Sequence, residues 1–331
     1  MSKKFIFALS ATLVVVVAIV VVFAFALGRT QATQRASGSV ITADKGAEDP
    51  YCLLVAGKDR ASGLTDVLML VSFDPQKSRI SVMQIPRDTY AEYGRSGHRK
   101  LNGALGALGS PEALKNYFES SLGVDIDGYL TLDLDGFRKI VDAVGGVQIE
   151  LDAPIYYKDP LQKLNISLEK GKQTLNGRQA EMFVRYRSGY ANGDIGRLDA
   201  QKKFLAAFFR TLKNNINAKN AYKLAESLID AVDTDVNLAL AVMLGLEALG
   251  TESDSLLFFT MPGEAIVSAR TGASFYVMSA TATDRLLREY FGKNGEGIDS
   301  ERLFAHPDYE DFIRIYESDV DILPTRADGI G

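Results

Sequence analysis

The chain has few of the residues on which most hydrolase and metal sites are built. Its 331 residues include one cysteine, Cys52, two histidines, His98 and His306, and no tryptophan. A single cysteine excludes an intrachain disulfide framework and a site made of several thiolates. The two histidines have no evident Ser or Cys partner, which disfavours a catalytic triad and a histidine-based zinc hydrolase.

Glycine-rich phosphate loops are also missing. No Walker-type loop is present, and Gly103, Gly106 and Gly109 are spaced unlike a dinucleotide fingerprint. Phosphate binding, if the chain has it, therefore has to come from side chains.

A long uncharged stretch lies near the N-terminus of the chain. From Phe5 to Leu27 the chain carries no charged residue, no proline and no glycine. As a helix at about 1.5 Å per residue, this stretch is long enough to cross a hydrocarbon core of about 30 Å. Lys3 and Lys4 precede it and place the N-terminus in the cytoplasm. We expect residues 1–28 to form a cytoplasmic tip and transmembrane anchor of a single-pass cell-membrane protein. A cleaved signal peptide is the alternative.

Positive charge is scarce in the rest of the chain. Without Lys3 and Lys4 the 37 basic residues fall to 35, against 42 acidic ones, so the predicted external part carries about −7. This sign argues against nucleic acid as a partner. An anionic substrate would need a local cluster of Arg or Lys.

The pattern after the predicted anchor is that of a spacer and an α/β domain. Residues 29–50 are small and polar, as in flexible linkers. Short apolar runs then alternate with amphipathic stretches that begin at Ser110 and Asp133, and a long helix is expected beyond Arg197. The predicted fold is an α-β-α layered sandwich with a central mixed β-sheet over residues 51–217. Residues 218–331 are expected to continue in helices and strands of unknown role and to end in a loose tail after Gly292.

Arginine and aspartate residues collect at the predicted junctions. Pro86 ends a strand and places Arg87 and Asp88 on the loop that follows. If the stretch Phe183 to Arg187 is extended, Arg185 and Arg187 point to one face, where two guanidinium forks suit a pyrophosphate.

Two further groups of polar residues complete the candidates. Arg197 and Gln201 lie one helical turn apart, just after Asp194, near a helix N-terminus that favours anions. Asp59 and Asp66 flank a short loop, and paired carboxylates suit Mg²⁺. The alternative is that Asp194 is only an N-cap and that the two loop aspartates are only turn residues.

The ordered set of these motifs resembles the LytR-CpsA-Psr family. The matching pieces are Gly57-x-Asp59, Thr65-Asp66, Ile85-Pro86-Arg87-Asp88-Thr89, Lys100-Leu101-Asn102, Val144-Gly145-Gly146-Val147, Phe183 to Arg187, and Gly193-Asp194-x-Gly196-Arg197-x-x-x-Gln201. The resemblance runs from Tyr51 to about Asn217. It departs from the family at Ala200, where many members have arginine.

The resemblance implies a phosphotransferase that moves a polyprenyl-pyrophosphate-linked anionic glycopolymer, of teichoic acid or capsular polysaccharide type, onto a peptidoglycan acceptor. It also implies roles for the candidate residues. Asp59 and Asp66 would hold Mg²⁺, with Asp59 nearest the attacking hydroxyl. The pyrophosphate would be bound by Arg87, Arg185, Arg187 and Arg197, assisted by Lys100, Asp194 and Gln201. The lipid tail would lie in an apolar pocket of the α/β domain.

Two other functions remain open. Water in place of the acceptor hydroxyl would make the chain a polyprenyl-pyrophosphate pyrophosphatase. A non-enzymatic, membrane-bound envelope regulator of the transcriptional attenuator type is the second alternative, and the four residues before the predicted anchor disfavour direct DNA binding.

Overall fold

The structure is a computed structural model of the whole chain. It describes residues 49–58, 64–93, 99–159, 164–186, 194–215, 232–236, 244, 251–269, 271–298, 312–314 and 325–326. The predicted transmembrane helix and residues 29–48 of the predicted spacer lie outside the described residues. In the part of the chain that is described, no helix is both long and apolar enough to span a bilayer.

A mixed β-sheet forms the centre of the fold and confirms the predicted fold class. Its strands, in spatial order, are β11 (Val232–Thr234), β6 (Gly128–Asp133), β1 (Tyr51–Lys58), β2 (Thr65–Asp74), β3 (Arg79–Gln84), β12 (Leu256–Thr260) and β16 (Thr325–Arg326). Strand β1 pairs antiparallel with β2 and parallel with β6, and β3 pairs antiparallel with β2 and parallel with β12.

The middle strands are buried on both faces, which is why they read as continuous apolar runs rather than as alternating patterns. Leu53 and Val55 of β1 join one apolar cluster, whereas Leu54 and Ala56 join another on the opposite side of the sheet. The sheet is therefore covered on both faces, as a layered sandwich requires.

Helices cover the two faces in separate groups. Two helices, α1 (Ala104–Leu108) and α2 (Pro111–Leu122), pack with α6 (Ala280–Tyr290) on one face, and α3 (Leu134–Ala143), α4 (Gly177–Arg185) and α5 (Asp194–Asn215) pack on the other. Ser110 and Asp133 cap α2 and α3 through their side-chain oxygens, as the sequence predicts. Gly145 and Gly146, with φ of +88° and +85°, turn the chain from α3 into the next strand, a conformation that favours glycine.

Smaller sheets surround this core. They are made of β4 (Tyr90–Ala91) with β5 (Arg99–Lys100), β7 (Val147–Leu151) with β10 (Gly171–Leu175), β8 (Ile155–Asp159) with β9 (Leu164–Leu168), and β13 (Gly263–Ser268) with β14 (Ser274–Met278) and β15 (Phe312–Arg314). The sequence analysis did not predict β8, β9 and β10.

Strands from beyond residue 217 extend the central sheet at both sides. β11 pairs with β6, and β12 pairs with β3. The polypeptide after the long helix therefore contributes directly to the sheet that positions the site.

Lys293, at the start of the expected loose tail, is buried instead. Its Nζ donates hydrogen bonds of 2.8 Å to the carbonyl oxygens of Leu122 and Gly123 at the end of α2. Burial lowers the pKa of this ammonium, although Asp284 at 3.8 Å opposes the shift. The tail thus begins with a residue that caps a helix, because those last carbonyls have no partner within the helix.

Replacing Lys293 by methionine is expected to lower the free energy of unfolding by about 1–3 kcal/mol, since the two carbonyls lose a charged donor. Thermal unfolding of the variant measures this. Lys172→Met is the matched control, because Lys172 is 85% exposed and pairs with Glu150 only at 3.9 Å. Equal midpoints for the two variants would show that Lys293 does not stabilise α2.

Candidate functional site

Four strands that run in the same direction end at one edge of the sheet. Strand β1 is parallel to β6, and β3 is parallel to β12. Because β1 and β3 are both antiparallel to β2, which lies between them, all four strands run in the same direction. Their last residues are Lys58, Asp133, Gln84 and Thr260. Ligands of open α/β sheets bind outside the carboxyl ends of such strands. This carboxyl edge is the candidate site, and several predicted site residues lie on it.

Asp59 and Asp66 belong to neighbouring strand ends. Asp59 follows the last residue of β1 and lies outside the described residues. Asp66 is the second residue of β2, so it belongs to the strand and does not precede it as expected. Gly57 pairs with Val67 and Lys58 pairs with Thr65, so the pairing passes over Asp66.

The skipped pairing makes Asp66 the extra residue of a β-bulge. Bulges are common beside active sites, where they redirect a side chain. Asp66 lies beside the end of β1, after which Asp59 follows in the chain, and carboxylate oxygens are the donors that Mg²⁺ prefers. Among the described side chains, which include neither of these two aspartates, no cluster of three or more His, Cys, Asp or Glu residues is arranged to hold a metal.

The loop after β3 is held firmly by its neighbours. The Thr89 amide and hydroxyl both donate to the Pro86 carbonyl, and the amide of Asn102 donates to the Arg87 carbonyl at 3.0 Å. Asp88 accepts a bond of 2.9 Å from the amide of Tyr276 on its backbone oxygen. The structure thus brings two motifs of the sequence, Ile85 to Thr89 and Lys100 to Asn102, side by side.

Lys100 is paired within this loop. Its Nζ lies 2.9 Å from Oδ1 of Asp88 and 5.5 Å from the ring centre of Phe275. Both Lys100 and Asp88 are about one third exposed. Lys100 is therefore oriented by an aspartate and by an aromatic ring of β14, a partner that the sequence analysis did not anticipate.

The prediction that Phe183 to Arg187 is extended is wrong for its first three residues. Phe183, Val184 and Arg185 form the last turn of α4, which begins with a capping box between Asn176 and Gln179. Buried residues recur at helical spacing along α4, which places this segment against α3 and α5 as a helix. Arg187 lies outside the described residues. The alternation that would have pointed Arg185 and Arg187 to one face does not apply.

Arg185 is instead a buried guanidinium held by a carboxylate. Its NH1 donates to Oε1 of Glu181 at 2.6 Å, and the two side chains are 8% and 5% exposed. The second oxygen of Glu181 accepts a hydrogen bond from Nε of Arg138 on α3. This bond raises the pKa of Arg138, so its charge persists at any physiological pH. One buried carboxylate therefore links two guanidinium groups.

Close packing of α3 on α4 explains how these side chains meet. A Cβ atom on Gly177 would lie 2.2 Å from the carbonyl oxygen of Arg138, a separation that only glycine permits. The amide of Gly177 also donates to Oδ1 of Asp142 at 2.7 Å. The start of α4 is thus fixed on α3, which brings Glu181 within reach of Arg138.

Gln201 joins Arg185 from the neighbouring helix. It is 1% exposed, and its Nε2 donates to the carbonyl of Val184, the residue before Arg185, at 3.4 Å. The predicted long helix is confirmed as α5, of which Asp194 is the first residue and Arg197 lies in the first turn. The side chains of Asp194 and Arg197 lie outside the described part of the structure.

Sequence reasoning missed Glu181 and Arg138. Glu181 lies four residues before Arg185, a spacing at which opposite charges pair on a helix, so a helical interpretation of this segment would have indicated it. Arg138 is 43 residues away from Glu181 in the chain, and no local pattern links them.

Glu181→Gln is expected to lower the free energy of unfolding by about 3–5 kcal/mol, because it leaves two guanidinium groups without their shared buried anion. Chemical denaturation measures the change. Glu150→Gln serves as the control, since Glu150 is 59% exposed and its pair with Lys172 is long. Combining Glu181→Gln with Arg138→Met should recover part of the loss. Additive losses in the double variant would contradict the shared ion pair.

The fold and the carboxyl edge define a class of protein: a layered α/β protein with arginine, lysine and aspartate positions at the ends of its parallel strands. A family model described as the LytR_cpsA_psr family matches residues 21–291, which is most of the chain. The chain therefore belongs to the LytR-CpsA-Psr family, as its motifs indicate.

Named relatives are similar over much of the chain. It is 26% identical to the polyisoprenyl-teichoic acid–peptidoglycan teichoic acid transferase TagV of Bacillus subtilis over 72% of this chain and 63% of the relative. It is 30% identical to TagU of Halalkalibacterium halodurans, which has the same transferase description, over 59% of this chain and 64% of the relative. It is 31% identical to the regulatory protein MsrR of Staphylococcus aureus over 56% of both chains. Each match spans less than two thirds of the relative's own length.

Solved structures share the fold. Bacillus subtilis TagV superimposes with a TM-score of 0.63 at 24% identity, covering 79% of this chain and 100% of that chain. A structure of TagT bound to LI-WTA gives a TM-score of 0.58 at 20% identity, covering 77% of this chain and 96% of that chain.

Proposed function

We propose that the chain is a phosphotransferase that moves a polyprenyl-pyrophosphate-linked anionic glycopolymer onto peptidoglycan at the outer face of the membrane. The observation that carries the proposal is the carboxyl edge of a family member, where Arg87 follows β3, the Asp66 bulge lies at the start of β2, and Lys100 of β5 pairs with Asp88. The names of the TagV and TagU relatives support the same activity. The uncharged segment from Phe5 to Leu27 supports membrane anchoring.

In the proposed reaction, a hydroxyl of a peptidoglycan sugar attacks the phosphorus atom next to the glycopolymer. A new P–O bond forms to that hydroxyl oxygen while the bond to the bridging oxygen breaks, and polyprenyl phosphate leaves. Asp59 takes the proton from the attacking hydroxyl. Positioning and charge neutralisation carry most of the catalysis in such a transfer.

The chain's own residues have distinct parts in this scheme. Arg87 and Arg185 bind the pyrophosphate, together with Arg187 and Arg197, while Lys100, Asp194 and Gln201 assist. Asp59 and Asp66 fit Mg²⁺ because both are carboxylates at a bulged strand end. A bound Mg²⁺ would supply charge neutralisation of the phosphate oxygens.

The isoprenoid tail is proposed to lie between the sheet and the helices α3 to α5. That layer is rich in aromatic rings, and Phe204 lies 5.9 Å from Phe137, 6.3 Å from Phe183 and 6.4 Å from Phe208 between ring centres. Such a layer suits an apolar chain whose charged end reaches the carboxyl edge.

The test is a transfer reaction with the full chain in detergent. The donor is a short-chain polyprenyl pyrophosphate carrying a teichoic-acid saccharide, and the acceptor is a peptidoglycan oligomer. A phosphodiester-linked product together with free polyprenyl phosphate, both seen by mass spectrometry, is the expected result. Release of the phosphorylated saccharide at the same rate without acceptor would identify a pyrophosphatase instead. Absence of both products under all conditions would refute an enzymatic role and favour a regulatory one.

A further inference from the structure

Gln84, the last residue of β3, carries an amide that the fold leaves unpaired. Its side chain is 1% exposed, and neither Nε2 nor Oε1 has a hydrogen-bond partner in the described part of the chain. A glutamine amide offers two donors and an acceptor with two lone pairs. Burying these groups without partners is unfavourable, so the position calls for an explanation beyond packing.

The strand pattern shows which way Gln84 faces. Val82 and Ile80, two and four residues before it, belong to the apolar cluster that contains Phe204 and Phe208 of α5. Met83 and Ile85 belong to the cluster on the opposite face. Side chains alternate along a strand, so the side chain of Gln84 lies on the same face of the sheet as those of Val82 and Ile80, which is the face covered by α3 to α5.

The backbone around Gln84 is fixed. It pairs with Met69 of β2 on one side and with Thr260 of β12 on the other, and its carbonyl accepts a 2.8 Å bond from the amide of Met261. This pairing fixes the backbone, and the 1% exposure of the side chain places its amide inside the protein and away from solvent. The unpaired amide is thus held in place at the carboxyl edge.

A second amide in the same layer has an unpaired oxygen. Gln201 of α5 donates through Nε2 to Val184, yet its Oε1 has no partner among the described residues. Among the described residues, this layer therefore has unpaired polar side-chain atoms on both the sheet and the helix side. Arg87 lies only three residues after Gln84, on the loop that leaves the same strand.

We propose that Gln84 is a substrate-binding residue whose Nε2 donates a hydrogen bond to an oxygen of the polyprenyl pyrophosphate, at the point where the phosphate meets the isoprenoid chain. This rests on the proposed function. Pyrophosphate oxygens are acceptors, so the amide nitrogen is the atom that bonds to them. An amide without a partner in the described part of the chain lets the site select a phosphate over an uncharged head group.

The test compares ligand-free stability with affinity for two ligands, using the full chain in detergent. The variant Gln84→Met keeps the side-chain length and removes both polar atoms. Its thermal midpoint without ligand is expected to rise by about 2–4 °C, since an unpaired buried amide has been removed. Its affinity for a short-chain polyprenyl pyrophosphate is expected to fall about tenfold, while its affinity for the polyprenyl alcohol of the same length stays unchanged.

Two further variants sharpen the result. Gln84→Glu places a carboxylate against the phosphate and is expected to weaken pyrophosphate binding more than Gln84→Met does. Gln148→Met, at an exposed position of β7, is the control that should change neither measurement.

The proposal is overturned if Gln84→Met binds the pyrophosphate with undiminished affinity. It is equally overturned if the variant is less stable and loses both ligands together, which is the signature of a structural residue. Binding is measured directly and does not depend on transfer. A protein that binds the lipid pyrophosphate through Gln84 but transfers no glycopolymer would refute the proposed function, and it would still support the binding role of Gln84.

Discussion

Replacing Arg185 by lysine is expected to give a folded protein that transfers glycopolymer at least about 100-fold more slowly. Lysine keeps a positive charge for Glu181, whose carboxylate now lies 2.6 Å from NH1 of Arg185. It loses the planar fork that would bind two phosphate oxygens at once in the proposed site. The expected loss is in the rate of transfer, because the fork acts on charge that develops in the transition state.

Lysine is a better test than alanine at this position because Arg185 is buried. Alanine would remove a charge from the Arg138–Glu181–Arg185 group and disturb the packing of α4. Arg178→Lys, on the exposed side of the same helix, is the matched control and should keep full activity. Arg187→Lys is expected to be impaired like Arg185→Lys. Normal transfer by a folded Arg185→Lys variant would remove Arg185 from the site.

Removing either Asp59 or Asp66 is expected to abolish the gain in lipid affinity that Mg²⁺ provides. In the proposed site, substrate oxygens and the two carboxylates would together bind the metal, so metal and lipid binding should depend on each other. The measurement titrates a short-chain polyprenyl pyrophosphate into the full chain, with Mg²⁺ or with a chelator. Asp59→Asn and Asp66→Asn should keep most of the metal-free binding, because that part comes from the arginines.

Asp152→Asn is the control for this experiment, since Asp152 is 94% exposed and lies on the turn after β7. It should show the same response to Mg²⁺ as the unchanged protein. Lipid binding that is equally strong in chelator, combined with normal transfer by both Asn variants, would reduce Asp59 and Asp66 to residues that shape the strand ends.

Local rules predicted much of the sheet and several helices. The continuous apolar runs of β1 to β3 and the caps at Ser110 and Asp133 are signals carried by neighbouring residues, and the structure has these elements where the sequence indicates them. The same kind of rule failed at Phe183 to Arg185. An extended Phe183 to Arg187 would have put Arg185 and Arg187 on one face, whereas Phe183 to Arg185 belong to the helix that begins at the Asn176 capping box.

The candidate site was only partly accessible to such reasoning. The strand pattern placed Arg87 and Asp88 on a loop, but the contacts that hold this loop come from elsewhere in the chain. Tyr276, whose amide binds the Asp88 carbonyl and whose burial raises the pKa of its hydroxyl, lies far along the chain on β14. Long-range pairing of this kind leaves no periodic trace in the sequence.

The sequence by itself determined the fold class and the family, because periodicity, capping and ordered motifs depend on residues close together in the chain. Only the tertiary structure decided that Glu181 joins Arg138 to Arg185 and that Lys293 caps α2. It also decided that Gln84 is buried with an unpaired amide between β2 and β12. Those features depend on which strands pair and which helices touch, and burial of apolar surface over the whole domain selects that arrangement.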